Sequence, residues 1–355
     1  MISDIADGEL PCDDWAGDEE LADDAGPQSR HLFTTLVIDA GQLAIRLDRY
    51  LASRLEGASR TFIQKAIGDG MVHVNGALPK PSYCVQPGDV LEIYRAGEAP
   101  APEILPEDIA LDIVYEDDSM LVVNKPAGMV VHPGHGHFSG TLVNALMYHL
   151  REVPLFQAGG IRPGLAHRID KDTSGLLAVG KTERAMRALS MQFFHKTASR
   201  AYLALVWGRM EGDEGTIDKY VGRDPSDRQR MCVFSNDTQG KRAVTHWRRV
   251  ESLAYTTLID CRLETGRMHQ IRVHMQSVKH PLFNDARYGG DRILRGVDTS
   301  QYRNFVQHAF SICPRQALHA YELTVQHPVT GECLRLTAPM PADMAALLEY
   351  LRTWH

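Results

Sequence analysis

Apolar residues recur at helical spacing through "AIRLDRYLASRL", where Ile45, Leu47 and Leu51 begin a stripe. They recur again through "RTFIQKAIGDG", where Phe62, Ile63, Ala66 and Ile67 share one face. Ser59 has the chemistry of an N-cap for this second helix, and Gly68 and Gly70 end it. "MVHVNGAL" alternates around Asn75-Gly76, a hairpin-turn signal, and "VQPGDVLEIY" turns at Pro87-Gly88-Asp89 into a closing strand. These patterns predict a small first unit over residues 36–95.

"RAGEAPAPEILPED" predicts a semi-rigid linker over residues 96–108. Beyond it, over 109–355, the pattern is mixed. "LDIVYEDDSMLVVNKP" predicts two strands around Asp117-Asp118-Ser119, and "GTLVNALMYHL" a helix. "GLLAVGK" predicts a buried strand and "TERAMRALSMQFFHK" an amphipathic helix with Met186, Leu189 and Phe193 inward. Further strands are expected at "AYLALVWG", "AVTHWRRVES", "YTTLIDCRLE" and "QALHAYELTVQHP", with helices at "RMHQIRVHMQSV" and "MPADMAALLEYLR". Strands arriving in runs favour an α+β domain with a mainly antiparallel sheet over a doubly wound one.

Charge changes this picture once it is divided. The net charge of −7 conceals an acidic start: residues 1–30 hold ten acidic side chains and one basic one, Arg30. The remaining 325 residues carry 37 basic and 35 acidic groups, a body compatible with a polyanionic ligand. With few large apolar residues, the acidic stretch is expected to be a disordered tail over 1–35. No apolar run approaches the roughly 20 residues of a membrane helix, so no membrane partner is expected and a cytoplasmic location is. The six cysteines are scattered without a C-x-x-C pair, which argues against a zinc ribbon or a disulfide framework.

Four stretches are candidates for chemistry. Gly175 to Thr182 satisfies the phosphate-loop pattern G-x-x-x-x-G-K-[ST]. Its intervening residues, Leu176 to Val179, suit a buried strand, whose paired amides cannot wrap a phosphate; Thr182 then reads as the N-cap of the next helix. His132, His135 and His137 lie in a Gly/Pro-rich loop whose spacing fits no common closed metal site. In "LETGRMHQIRVHMQSVKHPL", Ile271, Met275 and Val278 share one helix face while His269, Arg272 and Gln276 share another. Taken singly, Arg272 reads as a surface cation, Tyr202 as core packing, and Arg46, Arg49, Arg54, Arg60 and Lys65 as a solvated helix face.

The combination changes these odds. "RLDRYLA", "SRTFIQKAI", "GMVHVNG", "NKPAGMVVHPG", "GTLVNAL", "HRIDKDTSGL", "AYLALVWG" and "LETGRMHQIRVHM" occur in that order. The series resembles the RluA family of RNA pseudouridine synthases, in its branch with an N-terminal S4-type RNA-binding domain. The resemblance covers residues 43 to 350 and implies an S4-type domain over 36–95 and a catalytic domain with a central cleft over 109–355. It implies isomerisation of uridine to pseudouridine in RNA, with 23S ribosomal RNA or a large-subunit precursor as partner. Asp170 then matches the essential aspartate, Tyr202 the tyrosine under the target uracil, and Arg272 the arginine paired with the aspartate. Arg168 matches the arginine that enters the RNA stack. His167, Arg267 and His269 flank these positions and are expected to bind substrate, as are Arg46, Arg60 and Lys65 on the helical platform. Ile169 stands where the family usually has leucine, a near-isosteric exchange.

The chemistry suits these residue types. The N1–C1′ bond breaks, the uracil rotates, and C5 joins C1′, with no redox step and no group donor; no cofactor, metal or nucleotide is expected, and a monomer is. An ionised Asp170, acting on C1′ or at C2′, would be favoured by a bidentate Arg272. A proton must then leave C5, for which Tyr202 is the candidate base or relay.

Overall fold

The computed structural model describes residues 30–55, 60–80, 82–96, 104–134, 138–153, 164–227 and 229–354. The acidic stretch through residue 29, the Ser59 cap, linker residues 97–103, and His135 and His137 lie outside the described residues. The chain divides into two compact units, one within Ala22–Glu103 and one within Ile104–His355.

The first unit contains β1 (Arg30–Val37), β2 (Ile45–Arg46), α1 (Leu47–Arg54), α2 (Arg60–Gly68), β3 (Val72–Val74), β4 (Cys84–Val85) and β5 (Val90–Ala96). The sheet order is β1-β5-β3, with β2 and β4 as a separate pair. Asn75 and Gly76 both take positive φ, 51° and 76°, the geometry that a tight hairpin turn demands. Leu47, Leu51, Ile63, Val72, Val85 and Leu91 close the core. Three expectations shift. β1 begins at Arg30, inside the stretch assigned to the tail, because it pairs with β5 from Arg30↔Ala96 onward. Ile45 and Arg46 extend into a strand instead of starting the helix. Phe62 is 66% exposed, since α2 buries only Ile63 fully.

The second unit opens with β6 (Ile113–Glu116), β7 (Met120–Lys125), α3 (Leu142–His149), β8 (Gly164–Leu165), β9 (Ser174–Gly180) and α4 (Glu183–Phe194). It continues with β10 (Ser199–Trp207), β11 (Glu214–Arg223), β12 (Met231–Phe234), β13 (Lys241–Ser252), β14 (Thr256–Leu263) and α5 (Gln270–Ser277). α6 (Ser300–Ile312), β15 (Leu318–Gln326), β16 (Cys333–Thr337) and α7 (Ala342–Arg352) complete it. The strands form one sheet, β12-β11-β13-β14-β10-β15-β9-β7-β6, with β16 beside β15 and β8 beside β9. Among the described pairs only β9 and β15 run parallel, so the expected α+β class with a mainly antiparallel sheet is what the chain adopts.

Successive residues of a strand point to opposite faces. Leu121 and Val123 of β7 therefore enter the core with α3, Tyr202 and Ile271. Met120 and Val122 enter the opposite one with Leu189 of α4. A third cluster seats α6 and α7 on Trp207 and Phe283. α6 was absent from the sequence reading although Thr299 caps it, accepting the Tyr302 N–H at 3.2 Å.

β9 settles the phosphate-loop match. All seven of its residues are buried, and its backbone pairs with β7 and β8. Gly175 has φ of 123°, and a Cβ there would sit 2.2 Å from the Ala320 carbonyl oxygen, at the parallel crossing. A Cβ on Gly180 would meet the Met186 nitrogen at 2.4 Å, where α4 folds back on the strand. Lys181 reaches Glu116 at 2.9 Å, and Thr182 caps α4 by accepting the Ala185 N–H at 3.1 Å. The glycines, the strand residues, Lys181 and Thr182 are thus engaged in the sheet, an ion pair and a helix cap, and the strand's paired backbone does not wrap a phosphate.

Candidate active site

Asp170 sits on the segment between β8 and β9, and backbone contacts hold that segment. Its own carbonyl accepts the Thr173 N–H at 3.1 Å. The next carbonyl, Lys171, accepts from Gly128 N–H at 3.0 Å and from Lys125 Nζ at 2.8 Å. Arg315 donates to the Asp172 carbonyl at 2.9 Å while Asp343 grips its guanidinium from the other side. Lys125 is 1% exposed and also donates to the Pro126 and Met129 carbonyls at 2.8 Å each. Burial pushes its ammonium down to about 7, opposed by Asp170 and Asp172. Three carbonyl acceptors match the three donors of its charged form. Two long buried cations thus fix a loop that has no secondary structure of its own, the kind of support that sets a side chain to within fractions of an ångström.

Across from this loop, α5 presents Arg272 from its first turn. The helix is buried on both faces from Gln270 to Met275, which corrects the reading of Arg272 as a surface cation. Arg272 Nε and Nη2 donate to the two oxygens of Asp285 at 2.7 and 2.9 Å, and Nη1 donates to Asp170 Oδ2 at 2.9 Å. The bidentate partner is therefore Asp285, and Asp170 receives a single aimed donor. Asp285 is fully buried. Burial opposes the charged guanidinium, but the two carboxylates more than offset it and hold Arg272 ionised. Burial likewise opposes ionisation of Asp170, and the positive charges of His269, when protonated, and of Arg272 outweigh it, bringing the carboxyl to about 2.

His269 caps α5 in the left-handed conformation, φ 54° and ψ 21°, a backbone state uncommon outside glycine. That conformation turns its ring so that Nδ1 lies 2.9 Å from the Tyr288 hydroxyl and Nε2 4.0 Å from Asp170 Oδ2. Burial lowers its pKa, with Asp170 pulling the other way. Tyr202, from β10, is 5% exposed and packs in the same core cluster as Ile169 and Ile271. Burial raises its pKa; the charge of Arg200 opposes the rise and that of Asp170 adds to it. At neutral pH a phenol, not a phenolate, faces the site. Arg168 is exposed, and its charge reaches Asp170.

The structure thus brings Asp170, Tyr202, His269 and Arg272 together with Arg168 at the rim. It places others elsewhere. His167 is buried: its Nε2 accepts the Ala178 N–H at 3.1 Å and its ring lies 4.4 Å from that of Phe193. Its ring thus packs toward α4 and the β9 backbone. Arg267 is partly buried in the turn before α5, its backbone N–H donating to Gln270 Oε1 at 3.0 Å. In the first unit Arg46 and Arg60 are not independent cations: both bind the buried Asp48, at 3.1 and 2.9 Å, with Gln64 as a third donor at 2.6 Å. Burial would raise the Asp48 pKa, yet these donors hold it well below the usual range. Lys65 is exposed.

Asp285, Tyr288 and Lys125 escaped sequence reasoning. The "NDARYGG" segment has no periodicity, and only its acid and aromatic, shortly after a helix carrying an arginine, hint at a partner. Lys125 ends an apolar strand just before a proline, a position where a buried cation is easily taken for the first polar residue of a loop.

A partly buried carboxylate, kept ionised by an arginine that a second carboxylate aims, with a tyrosine and an imidazole nearby, is an arrangement suited to carboxylate chemistry. The RNA pseudouridylate synthase family model matches residues 119–277, which include Asp170, Tyr202 and Arg272, and the S4 domain model matches 45–91. A Bacillus subtilis protein named uncharacterized RNA pseudouridine synthase YlyB is 46% identical over 88% of this chain and 95% of its own. The ribosomal large subunit pseudouridine synthase D of Zymomonas mobilis is 44% identical over 86% of this chain and 93% of its own. The solved human RNA pseudouridylate synthase domain containing 4 superposes with a TM-score of 0.51 at 23% identity, covering 68% of this chain and 92% of that one, a likeness of fold. The chain belongs to the RNA pseudouridine synthase family. Its first unit holds the S4 domain.

Proposed function

We propose that this enzyme converts uridine to pseudouridine in large-subunit ribosomal RNA, at the hairpin of the subunit bridge known as helix 69, in the cytoplasm. The reading of the substrate rests on relatives named for the large subunit, the S4 domain and the near-neutral body beyond the acidic stretch. The reading of the chemistry rests on one arrangement, the Asp285–Arg272–Asp170 chain.

A carboxylate that must act at the ribose has to be ionised and oriented before substrate arrives. Arg272 supplies both, and Asp285 prevents Arg272 from swinging away with the substrate's own anions. The target uridine leaves its stack, at a cost of a few kcal/mol, and Arg168 at the rim fills the gap. Asp170 acts on the ribose as the N1–C1′ bond breaks. The uracil, held against Tyr202, turns and C5 bonds C1′. The C5 proton departs through the Tyr202 phenol acting as a relay, which passes its own proton to water as it takes up the one from C5, since its raised pKa disfavours a standing phenolate. N1 regains a proton, so the product is an isomer and nothing else is consumed.

The deciding experiment is tritium release from C5-labelled uridine in the hairpin RNA. Asp170→Asn should abolish release while RNA binding stays within about twofold of the parent. Full activity in that variant would overturn the assignment, and a protein that binds the hairpin without releasing tritium would be a binding factor.

A further inference from the structure

A cavity of about 310 Å³ opens beside Tyr288, lined among others by Arg230, Gln276, Arg287, Asp291 and Arg292. Three arginines thus line one space together with one acidic residue, Asp291, and Arg287 also donates to the Gln229 carbonyl. Tyr288 forms part of the wall of this space and also touches Arg272 and His269, the two partners of Asp170. The guanidinium carbon of Arg272 lies 5.0 Å from the ring centroid, and that of Arg230 5.3 Å from it. From the same residue the hydroxyl reaches His269 Nδ1 at 2.9 Å, and His269 Nε2 is 4.0 Å from Asp170. The wall is rigid because the Asp285 oxygen that accepts from Arg272 Nη2 also accepts the backbone N–H groups of Arg287 and Tyr288, at 3.1 and 3.2 Å. Asp285 therefore sets the catalytic arginine and the cavity in one frame.

We propose that this cavity takes a phosphodiester group of the RNA backbone adjacent to the target uridine. The inference rests on the assignment of Asp170 to ribose chemistry. A carboxylate acting at C1′ or C2′ stands within one nucleotide of two backbone phosphates, and Tyr288 of the cavity wall is linked to that carboxylate through His269 and Arg272. Guanidinium groups are planar forks that match phosphate oxygens, so three of them around a space of this size suit a phosphodiester better than any neutral group. Such a contact carries no sequence information; it fixes the register of the strand, so that the ribose meets Asp170 once the base has flipped. It also offsets the repulsion between the RNA backbone and the two carboxylates of the site.

The test pairs arginine variants with RNA in which one linkage is neutral. Binding is measured by fluorescence anisotropy against salt, for helix 69 hairpin RNA carrying a single methylphosphonate 5′ or 3′ of the target uridine, and for the all-phosphate hairpin. Arg292→Gln and Arg230→Gln should weaken binding of the all-phosphate RNA roughly tenfold at low salt and flatten its log–log salt slope by about 0.7. One methylphosphonate RNA should show the same loss with the parent protein and no further loss with the variants; which one identifies the linkage. Arg292→Lys, which keeps a point charge, should retain most of the salt slope and controls for folding, together with a thermal melt. Parent-like slopes in the glutamine variants, or equal losses on neutral and charged linkages, would overturn the proposal. Tritium release by the parent protein on the unmodified hairpin separately decides the functional reading, since the binding comparison holds whether or not turnover occurs.

Discussion

Arg272 divides its donors between two carboxylates that would repel each other without it, and the asymmetry of the division matters. Two bonds anchor it to Asp285 and one is left for Asp170, so the arginine is aimed by a residue that touches no substrate. Asp285→Asn should lower kcat at least tenfold with KM for RNA close to the parent. It should also destabilise the fold by about 3 kcal/mol in denaturant melts, the usual order when a buried ion pair loses one member. A parallel rise in KM would show that Asp285 acts on binding. The pH dependence follows from the same contact. The folded-state pKa of Asp170 is depressed from 3.8 to about 2. The stability this contributes is present above pH 3.8 and lost as pH falls through about 2. In the parent, then, Asp170 sets no acid limb in the ordinary assay range. Arg272→Gln leaves burial less opposed, so the residual kcat/KM should acquire an acid limb well above pH 3.8. A flat residual profile from pH 5 to 8 would show that Arg272 does not govern Asp170. At this scale the meeting of Asp170 and Arg272 was legible through their motifs, whereas Asp285 was not, because no local pattern announces a loop acid that folds back onto a helix thirteen residues earlier.

Elements explain why the stronger-looking motif was the empty one. Gly175 and Gly180 mark two close approaches, one of a neighbouring strand and one of a returning helix. Gly175→Ala should destabilise the domain by at least about 3 kcal/mol, since its Cβ would strike a backbone carbonyl and its φ of 123° is strained for any L side chain. Lys181→Ala removes only a partly exposed ion pair with Glu116, so it should cost less than about 1 kcal/mol and leave tritium release unchanged. Loss of activity in Lys181→Ala at parent stability would reopen the nucleotide-binding reading. The run from Leu176 to Val179 was legible as a strand because four consecutive apolar residues have nowhere to go but a sheet buried on both faces. The short α5 was legible as a helix but not as a buried one: its buried polar residues Gln270, Arg272 and His274 find hydrogen-bond partners elsewhere in the sheet and site, for which spacing carries no signal. α6 was overlooked although Tyr302, Val306, Ala309 and Phe310 form its buried stripe below a threonine cap, a helix readable from its own residues.

For the whole molecule the instructive quantity is the distribution of charge. Near-neutral as a body, the chain gathers cations locally: three arginines line the cavity beside Tyr288, and Arg46, Arg60 and Lys65 lie in the S4 unit, where Asp48 tethers the first two. Tethering lowers the local charge but fixes the guanidinium positions, which favours recognition of RNA shape over indiscriminate attraction. Residues 1–29 carry ten acidic side chains and no basic one, a charge of −10 on one short stretch. Such a segment is expected to raise the electrostatic cost of bringing RNA to the protein. Deleting residues 1–29, which keeps Arg30 and the whole of β1, should therefore tighten hairpin binding at low ionic strength and accelerate association. The two proteins should converge as salt rises toward 0.5 M, where the screening length falls to roughly 4–5 Å. kcat at saturating RNA should not change, because no residue of the site is removed. Equal affinities at low salt would show that the acidic stretch does not compete with RNA; a difference that persists at high salt would point to a direct contact in place of a long-range one.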